Sequence, residues 1–369
     1  MTKSKQAVSE PVRAITMWDF SWLERRWPGA GYEDWDRALD ELAERGYDAV
    51  RIDAYPHLVA ADPEREWELL PMWNQSDWGS PARCRVRVMP ELLTFLEKCA
   101  RRNIRVGLST WFREDTTQQR LLIPTPGRHA EIWKSVLDHI RAAGLLDVLL
   151  YVDFCNEWPL QLWAPFFRND PDSPNMWATP ASAAWMRESI QMLKTSYPEV
   201  RCCYSFTTEL RNWKGTDVSY FDLLEPHIWM AQHSDFNLRV GYKYERFETI
   251  GYENLVRHAE RLYRSDEAHW QGALRNVIRS VAEWSRVSGK PLVTTECWGI
   301  VDYKDWPLLD WGWVKELCAL GVEEASATGR WEATATSNFC GPQFVGMWRD
   351  IEWHQRLTKR LKSSSRPSV

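Results

Sequence analysis

The chain has 369 residues, and its 46 Lys+Arg stand against 51 Asp+Glu for a net charge of −5, so no basic excess points to nucleic acid or another polyanion. Hydrophobic residues make up 44% and charged residues 26%, which excludes disorder for the bulk of the chain. Tryptophan is the outlier, with 24 copies beside 12 Tyr and 12 Phe; its flat ring and N–H suit either a packed core or stacking on a sugar-like ligand.

Short apolar runs alternate with helical stripes along the chain. Residues 14–18 (AITMW) read as a first strand. Trp35, Ala38, Leu39, Leu42 and Ala43 follow at i, i+3, i+4, i+7 and i+8, a helix stopped by Gly46. Residues 48–54 (DAVRIDA) predict strand two, and a long Trp- and Pro-containing loop runs from 56 to 90. Leu92, Phe95, Leu96 and Cys99 mark the next helix, 104–111 (IRVGLSTW) strand three, and Trp133, Val136, Leu137 and Ile140 a third helix. Strand four is the very apolar 148–155 (VLLYVDFC). The second half predicts a helix over 181–193, strands over 201–207 and 220–229, and a long, interruptible helical region over 252–287. Strand seven over 291–296, a helix through Trp313, Leu317 and Leu320, strand eight over 333–339 and a last helix over 348–361 complete the order.

Eight strands alternating with helices, several of them continuously apolar, predict an α/β fold: a single (β/α)8 barrel, with long loops after strands two, four and six. No GxGxxG follows the first strand and no P-loop occurs, which argues against the open, doubly wound alternative. The domain limits expected are an N-terminal tail over 1–13, a catalytic barrel over 14–361 and a disordered tail over 362–369. The long loops carry Trp67, Trp73, Trp78, Trp163, Trp177, Tyr242 and Tyr244, rings that either wall a pocket or anchor the loops.

The N-terminal MTKSKQAVSEPVR has no apolar run, and no stretch of the chain nears the ~18 apolar residues of a membrane span. The eight cysteines form no CxxC pair and no zinc-like spacing. A reduced, cytoplasmic protein without membrane partners is therefore expected, and the glycosylation-like triplet Asn74-Gln75-Ser76 is read as incidental. His57, His129, His139, His233, His258, His269 and His354 form no HxH, HxxxH or HExxH set, so neither a metal site nor a cofactor is expected. No GxSxG elbow is present.

In such a barrel the chemistry sits at the carboxyl ends of the strands. Strand four ends in Asn156-Glu157 and strand seven in Glu296. Buried strand ends tolerate carboxylates only when these are paired or useful. Three strands apart, the two face each other across the barrel mouth, as glycosidic bond cleavage requires of its two carboxyls: a gap of about 5–5.5 Å gives a covalent glycosyl-enzyme and retention, one of about 6.5–9.5 Å inversion. A structural salt bridge to a strand-end arginine such as Arg51 is the competing account of either one. Alternation along strand two puts Arg51, Asp53 and Tyr55 on one side, so Asp53 either reaches a sugar hydroxyl or neutralises Arg51. Trp18-Asp19 ends strand one and has the same two readings.

These residues carry a resemblance. Asn156-Glu157 ending strand four, Glu296 in KPLVTTECWG, Arg51 in VRID and His227 in EPHIW resemble the clan A glycoside hydrolases, cellulase-like barrels that include family 5. The resemblance spans most of the chain in element order. It implies Glu157 as general acid/base, Glu296 as nucleophile, Asn156 bonded to the sugar 2-hydroxyl, and Arg51 holding Glu296 ionised. Two departures stand out. Trp229 occupies the position of a common tyrosine two residues after the strand-six histidine, where it is expected to meet substrate with its indole N–H but cannot act as a phenol. Ser337-Asn338-Phe339 stands where a strand-eight tryptophan would stack on sugar, with Asn338 a substrate-binding candidate; Trp298 or Trp111 is the expected substitute for stacking. The function expected is a retaining, exo-acting β-glycosidase for oligosaccharides or glycosides. Its alternatives are an endo-β-glycanase of the cellulase or mannanase type, a transglycosylase or phosphorylase using the same pair, and a carbohydrate-binding protein without chemistry on a hydrolase scaffold.

Overall fold

A computed structural model describes residues 13–73, 77–243, 247–303, 305 and 309–364. Most of the two expected tails, the triplet at 74–76 and Tyr244 lie outside the described residues. The first strand is Arg13–Asp19, the second Ala49–Asp53, the third Arg105–Ser109 and the fourth Leu149–Asp153. The fifth, sixth and seventh are each interrupted: Cys202–Cys203 with Ser205–Phe206, Glu225–Pro226 with Ile228–Trp229, and Leu292–Thr294 with Cys297–Trp298. The eighth is Trp331–Thr334. Every strand pairs in parallel with the next, and the eighth pairs back onto the first. The ring closes as a (β/α)8 barrel.

Local signals explain the helices. Asp34 caps Trp35–Glu44 by accepting from the backbone N–H of Asp36 and Arg37, at 2.9 and 3.3 Å. Gly46 then leaves the helix at φ +85°, where a Cβ would also collide with Thr358. Thr125 and Thr179 cap Pro126–Ala142 and Pro180–Lys194, each with proline in the first turn. The long helical region after strand six divides at Asp266, which ends Ile250–Ser265 and caps Glu267–Ser288. Asp350 likewise starts Ile351–Lys362, separating it from the short Val345–Trp348.

Two departures from the sequence reading have physical causes. The loop after strand two is partly regular, with a helix over Pro56–Ala61 and an antiparallel hairpin of Glu66–Leu69 and Cys84–Arg87. Its strands alternate buried Trp67, Leu69 and Val86 with charged residues, but four residues each is too short to stand out as a period. Strand eight begins at Trp331 and ends at Thr334, so residues 335–339 continue beyond it as its carboxyl-end loop.

The apolar body lies between the strands and the surrounding helices. A smaller plug of Ile15, Ala49, Tyr151, Cys203, Leu223, Val293 and Ala333 fills the barrel itself. Trp22, Trp133, Trp270, Trp284, Trp313 and Trp331 are fully buried, so packing accounts for much of the tryptophan excess. All eight cysteines are free and seven are buried. No described helix is long and apolar enough to cross a membrane.

Candidate active site

Strand two sends Ala49, Arg51 and Asp53 to the barrel side, while Val50 and Ile52 pack against the helices. Arg51 is completely buried above the apolar plug. Its Nη2 donates to Asp153 Oδ2 at 2.6 Å, Asn156 Oδ1 at 2.8 Å and Ser109 Oγ at 3.0 Å. Nη1 donates to Glu296 Oε1 at 3.1 Å, and Nε lies 3.2 Å from Glu225 Oε1. The Arg51 guanidinium also sits 4.6 Å from the Trp111 ring centroid. With Ser205 Oγ of strand five 3.3 Å from Nη2, one guanidinium thus ties together strands two to seven.

Above it stand Glu157 and Glu296. His227 Nδ1 is 3.1 Å from Glu157 Oε1 and 3.7 Å from Glu296 Oε1. Trp163 Nε1 donates to Glu157 Oε2 at 3.3 Å, and the Glu157 backbone N–H donates to Ser205 Oγ at 2.9 Å. Glu157 adopts φ +48°, a left-handed turn that brings its carboxyl back toward the strand-six histidine. One donor atom from each of Glu157, His227 and Glu296 lies within 4.8 Å of the others. That spacing also fits a small cation, although His227 Nδ1 is already engaged with Glu157.

Electrostatics make the two glutamates proton-holding groups. Burial pushes Glu157 up to about 7, against the opposing pull of the Trp163 hydrogen bond and of Arg51. Burial and the negative charge of Glu157 push Glu296 up to about 7, while Arg51 opposes the rise. Burial lowers His227 to about 4, so its imidazole is neutral at physiological pH. Like charges this close share a proton more readily than both ionise. Arg51 lowers both, but it donates a hydrogen bond to Glu296 and not to Glu157, an asymmetry that favours the shared proton on Glu157.

A cavity of about 500 Å³ opens over this pair, lined by Asp19, Trp73, Trp78, Trp111, Asn156, Glu157, Trp163, Tyr242, Glu296, Asp302 and Asn338, among others. Its aromatic wall is braced from behind. Phe20 stacks on Trp73 at 5.9 Å and meets Trp111 edge-on at 5.9 Å, and Trp73 meets Trp163 edge-on at 5.7 Å. The buried pair Arg113–Glu24, at 2.7 Å, lies behind Phe20.

Of the residues singled out from sequence, Asp19, Asn156, Glu157, Glu296, Trp111 and Asn338 line the cavity, while Arg51 and His227 lie directly beneath it. Three expectations need correction. Trp298 is fully buried and donates to Ala335 O at 3.1 Å, with its ring over Gly321, so it offers no face to a sugar. Trp229 is also fully buried, edge-on to His227 at 5.7 Å. Asp53 accepts from the backbone N–H of Tyr55 at 2.7 Å and Trp111 at 2.9 Å. It therefore shapes two loops; it neither lines the cavity nor pairs with Arg51. Among the loop rings, Trp73, Trp78, Trp163 and Tyr242 reach the cavity, whereas Trp67 pairs within the hairpin and Trp177 stacks on Phe206 at 4.4 Å.

Sequence reasoning missed Asp153, Glu225 and Asp302. The first two carried a signal, because each interrupts a buried strand: Asp153 in VLLYVDFC and Glu225 two residues before His227. Asp302 sits in the loop after strand seven, where nothing local distinguishes it.

The model of the sugar-binding cellulase-like family matches residues 15–362. A solved structure of a Parabacteroides distasonis protein classed as a glycoside hydrolase is 52% identical, with TM-score 0.94 over 98% of this chain and 96% of its own. The family 5 mannosidase of Rhizomucor miehei aligns at TM-score 0.53 and 12% identity, covering 96% of each chain. A family 5 protein of Streptomyces cattleya, solved with GlcNAc, aligns at TM-score 0.53 and 12% identity over 98% of this chain and 83% of its own; these last two establish the barrel alone. No curated protein matches the chain.

Proposed function

The chain belongs to the cellulase-like family of clan A glycoside hydrolases, and from that premise we propose that it is a retaining β-glycosidase with Glu157 as acid/base and Glu296 as nucleophile. The observation that carries the mechanism is the placement of the two carboxyls. An oxygen of each lies within 4.8 Å of the other at the cavity floor. Retaining enzymes hold their carboxyls about 5–5.5 Å apart, whereas inverting enzymes need about 6.5–9.5 Å to admit a water. The close spacing supports direct attack.

In the first step a Glu296 oxygen attacks the anomeric carbon as Glu157 passes its proton to the departing glycosidic oxygen. The products are a glycosyl ester on Glu296 and the free aglycone alcohol. In the second, Glu157, now ionised, takes a proton from water; that water's oxygen attacks the anomeric carbon and Glu296 leaves as carboxylate. Two inversions give retention. Arg51 stabilises the Glu296 charge at the start and end of the cycle. Asn156 gives its Oδ1 to Arg51, which turns its amide N–H₂ toward the cavity for the sugar 2-hydroxyl, a bond that strengthens at the transition state.

The exo-acting reading rests on the shape of the site. Rings from the loops after strands two, three and four (Trp73, Trp78, Trp111 and Trp163) and Tyr242 from the loop after strand six surround a cavity of about 500 Å³, a volume in the range of small-ligand pockets. Oligosaccharides or glycosides entering by one end are the substrates proposed. Eight unpaired cysteines support a reducing, cytoplasmic setting.

The test is aryl release from a panel of nitrophenyl β-glycosides beside Glu296→Ala, with and without azide. The expected result is cleavage by the wild type, an inactive variant, and rescue as a glycosyl azide of inverted configuration. A Glu296→Ala enzyme of full activity overturns the assignment. A wild type inert on every aryl glycoside but active on oligosaccharides selects the endo-acting alternative.

A further inference from the structure

We propose that Asp19 and Asp302, with Asn338, select the sugar: the site takes glycosides whose rings carry only hydroxyl or amino groups, and excludes uronides and sulfated sugars. This deepens the glycosidase reading and rests on it for the location of the substrate.

Asp19 ends strand one at φ +42° and lines the cavity. Its carboxyl accepts from the backbone N–H and the hydroxyl of Ser21, which hold it in place at the cavity wall. Asp302 lines the cavity from the loop after strand seven, where its Oδ2 accepts from the Tyr242 hydroxyl. Both are at most 5% exposed. Glu24 and Glu296 act on Asp19 against the attraction of the Arg25 guanidinium, which spends its N–H groups on the Ala30 and Gly79 carbonyls, and Glu157 acts on Asp302. Burial is the largest influence on both carboxyls and raises them.

Asn338 supplies the independent observation. It is 2% exposed and lines the cavity; its Nδ2 donates to Val301 O at 2.6 Å, while its Oδ1 has no partner. A buried amide oxygen without a donor is costly unless a ligand supplies one. Asp19, Asp302 and Asn338 thus offer acceptors toward the same space. Sugar hydroxyls, which donate, satisfy them. A ring carboxylate or sulfate brings only acceptors and a further negative charge among carboxyls, which leaves every party unpaired. Lys243 also borders the cavity, but at its exposed rim.

The experiment has a hydrolysis arm and a binding arm. Nitrophenyl β-glucoside, mannoside, galactoside and xyloside are compared with the β-glucuronide by kcat/KM. Free glucose, mannose, galactose and xylose are compared with glucuronate by quenching of intrinsic tryptophan fluorescence, read on wild type, Asp19→Ala, Asp302→Ala and the conservative Asp19→Asn and Asp302→Asn. At least one neutral sugar is expected to exceed the uronic counterpart by 100-fold or more in either arm. Each alanine variant should weaken the preferred sugar about 10- to 100-fold, the loss of one hydrogen bond to a charged group. Glucuronide turnover or glucuronate binding equal to that of every neutral sugar overturns the proposal. So do alanine variants with unchanged KM and Kd, and so does absence of sugar binding altogether. Selective neutral-sugar binding without hydrolysis upholds the selectivity and sinks the glycosidase reading instead.

Discussion

Glu157→Gln is expected to make the protein more stable at alkaline pH while removing most of its activity. Burial raises Glu157 from 4.5 in the unfolded chain to about 7 in the fold, so the folded protein binds a proton there that the unfolded chain has released. A raised carboxyl contributes its stability fully below pH 4.5 and loses it as pH rises through 7. Each pKa unit corresponds to about 1.4 kcal/mol, and the shift from 4.5 to about 7 therefore costs the wild type about 3 kcal/mol between those limits. Glutamine has the same shape and no charge to desolvate. The stability difference, variant minus wild type, should accordingly grow by about 3 kcal/mol from pH 4.5 to pH 8, and Glu296, freed of a like charge, should titrate lower. Urea unfolding at the two pH values measures the difference directly. On aryl glycosides with poor leaving groups the variant should lose about 10²–10⁴ in kcat/KM, the usual worth of general acid catalysis, and less with a strongly acidic phenol that leaves unaided. A stability difference that is the same at both pH values would refute the claim that Glu157 is held against ionisation by its surroundings.

Three further outcomes follow from neighbouring contacts. Trp163→Phe removes the indole N–H that favours ionised Glu157, so the alkaline limb of the kcat/KM–pH profile should move to higher pH; an unmoved limb would exclude Trp163 from tuning the acid. Arg51→Met leaves Asp153, Glu225 and Glu296 buried without their cation. It should cost about 3–5 kcal/mol at neutral pH, as breaking a buried pair does, with part of the loss recovered on acidification; calorimetry at pH 5 and pH 8 tests this. Gly321→Ala places a methyl against the Trp298 indole, and overpacking there should cost about 1–3 kcal/mol, read as a lower urea midpoint.

How legible the site was depended on whether a residue's partners lie close in the chain. The barrel could be read because strand and helix periods are local, and the two carboxyls that meet at the cavity floor because Asn156-Glu157 and Glu296 interrupt apolar strands at the ends where barrels keep their chemistry. Glu296 could be read as a partner of Arg51, but its two other carboxylate partners could not. Asp153 and Glu225 are separated from it by over a hundred residues and belong to other strands, so only closure of the ring reveals which carboxyls share the guanidinium. Alternation correctly put Asp53 on the Arg51 side of strand two, yet Asp53 turns to the Tyr55 and Trp111 amides. Periodicity fixes a side and not a partner. Trp298 failed for the complementary reason: a residue two past the proposed nucleophile looks positioned for substrate, but the space left by Gly321 on Gly312–Thr328 draws its ring outward into the helix layer.

In the proposed double displacement, the acid/base must be protonated in one step and ionised in the next, and the surroundings of Glu157 suit both demands. Burial alone would hold it as the neutral acid throughout. The Trp163 indole N–H, at 3.3 Å, donates to it and favours the carboxylate. His227 adds to that pull if its proton is on Nδ1, and the absence of any partner for the buried Nε2 argues for that tautomer, because an orphaned donor is rarer than an orphaned acceptor. Opposed contributions leave Glu157 at about 7, where neither protonation state is far from the other. The proposed mechanism gives Glu296 a different task, to stay a carboxylate until it attacks, and its direct donor is the guanidinium at 3.1 Å. The same guanidinium also faces Asp153 and Glu225. Its charge is therefore divided, and Glu296 remains a carboxylate free enough to leave the ion pair and bond to carbon.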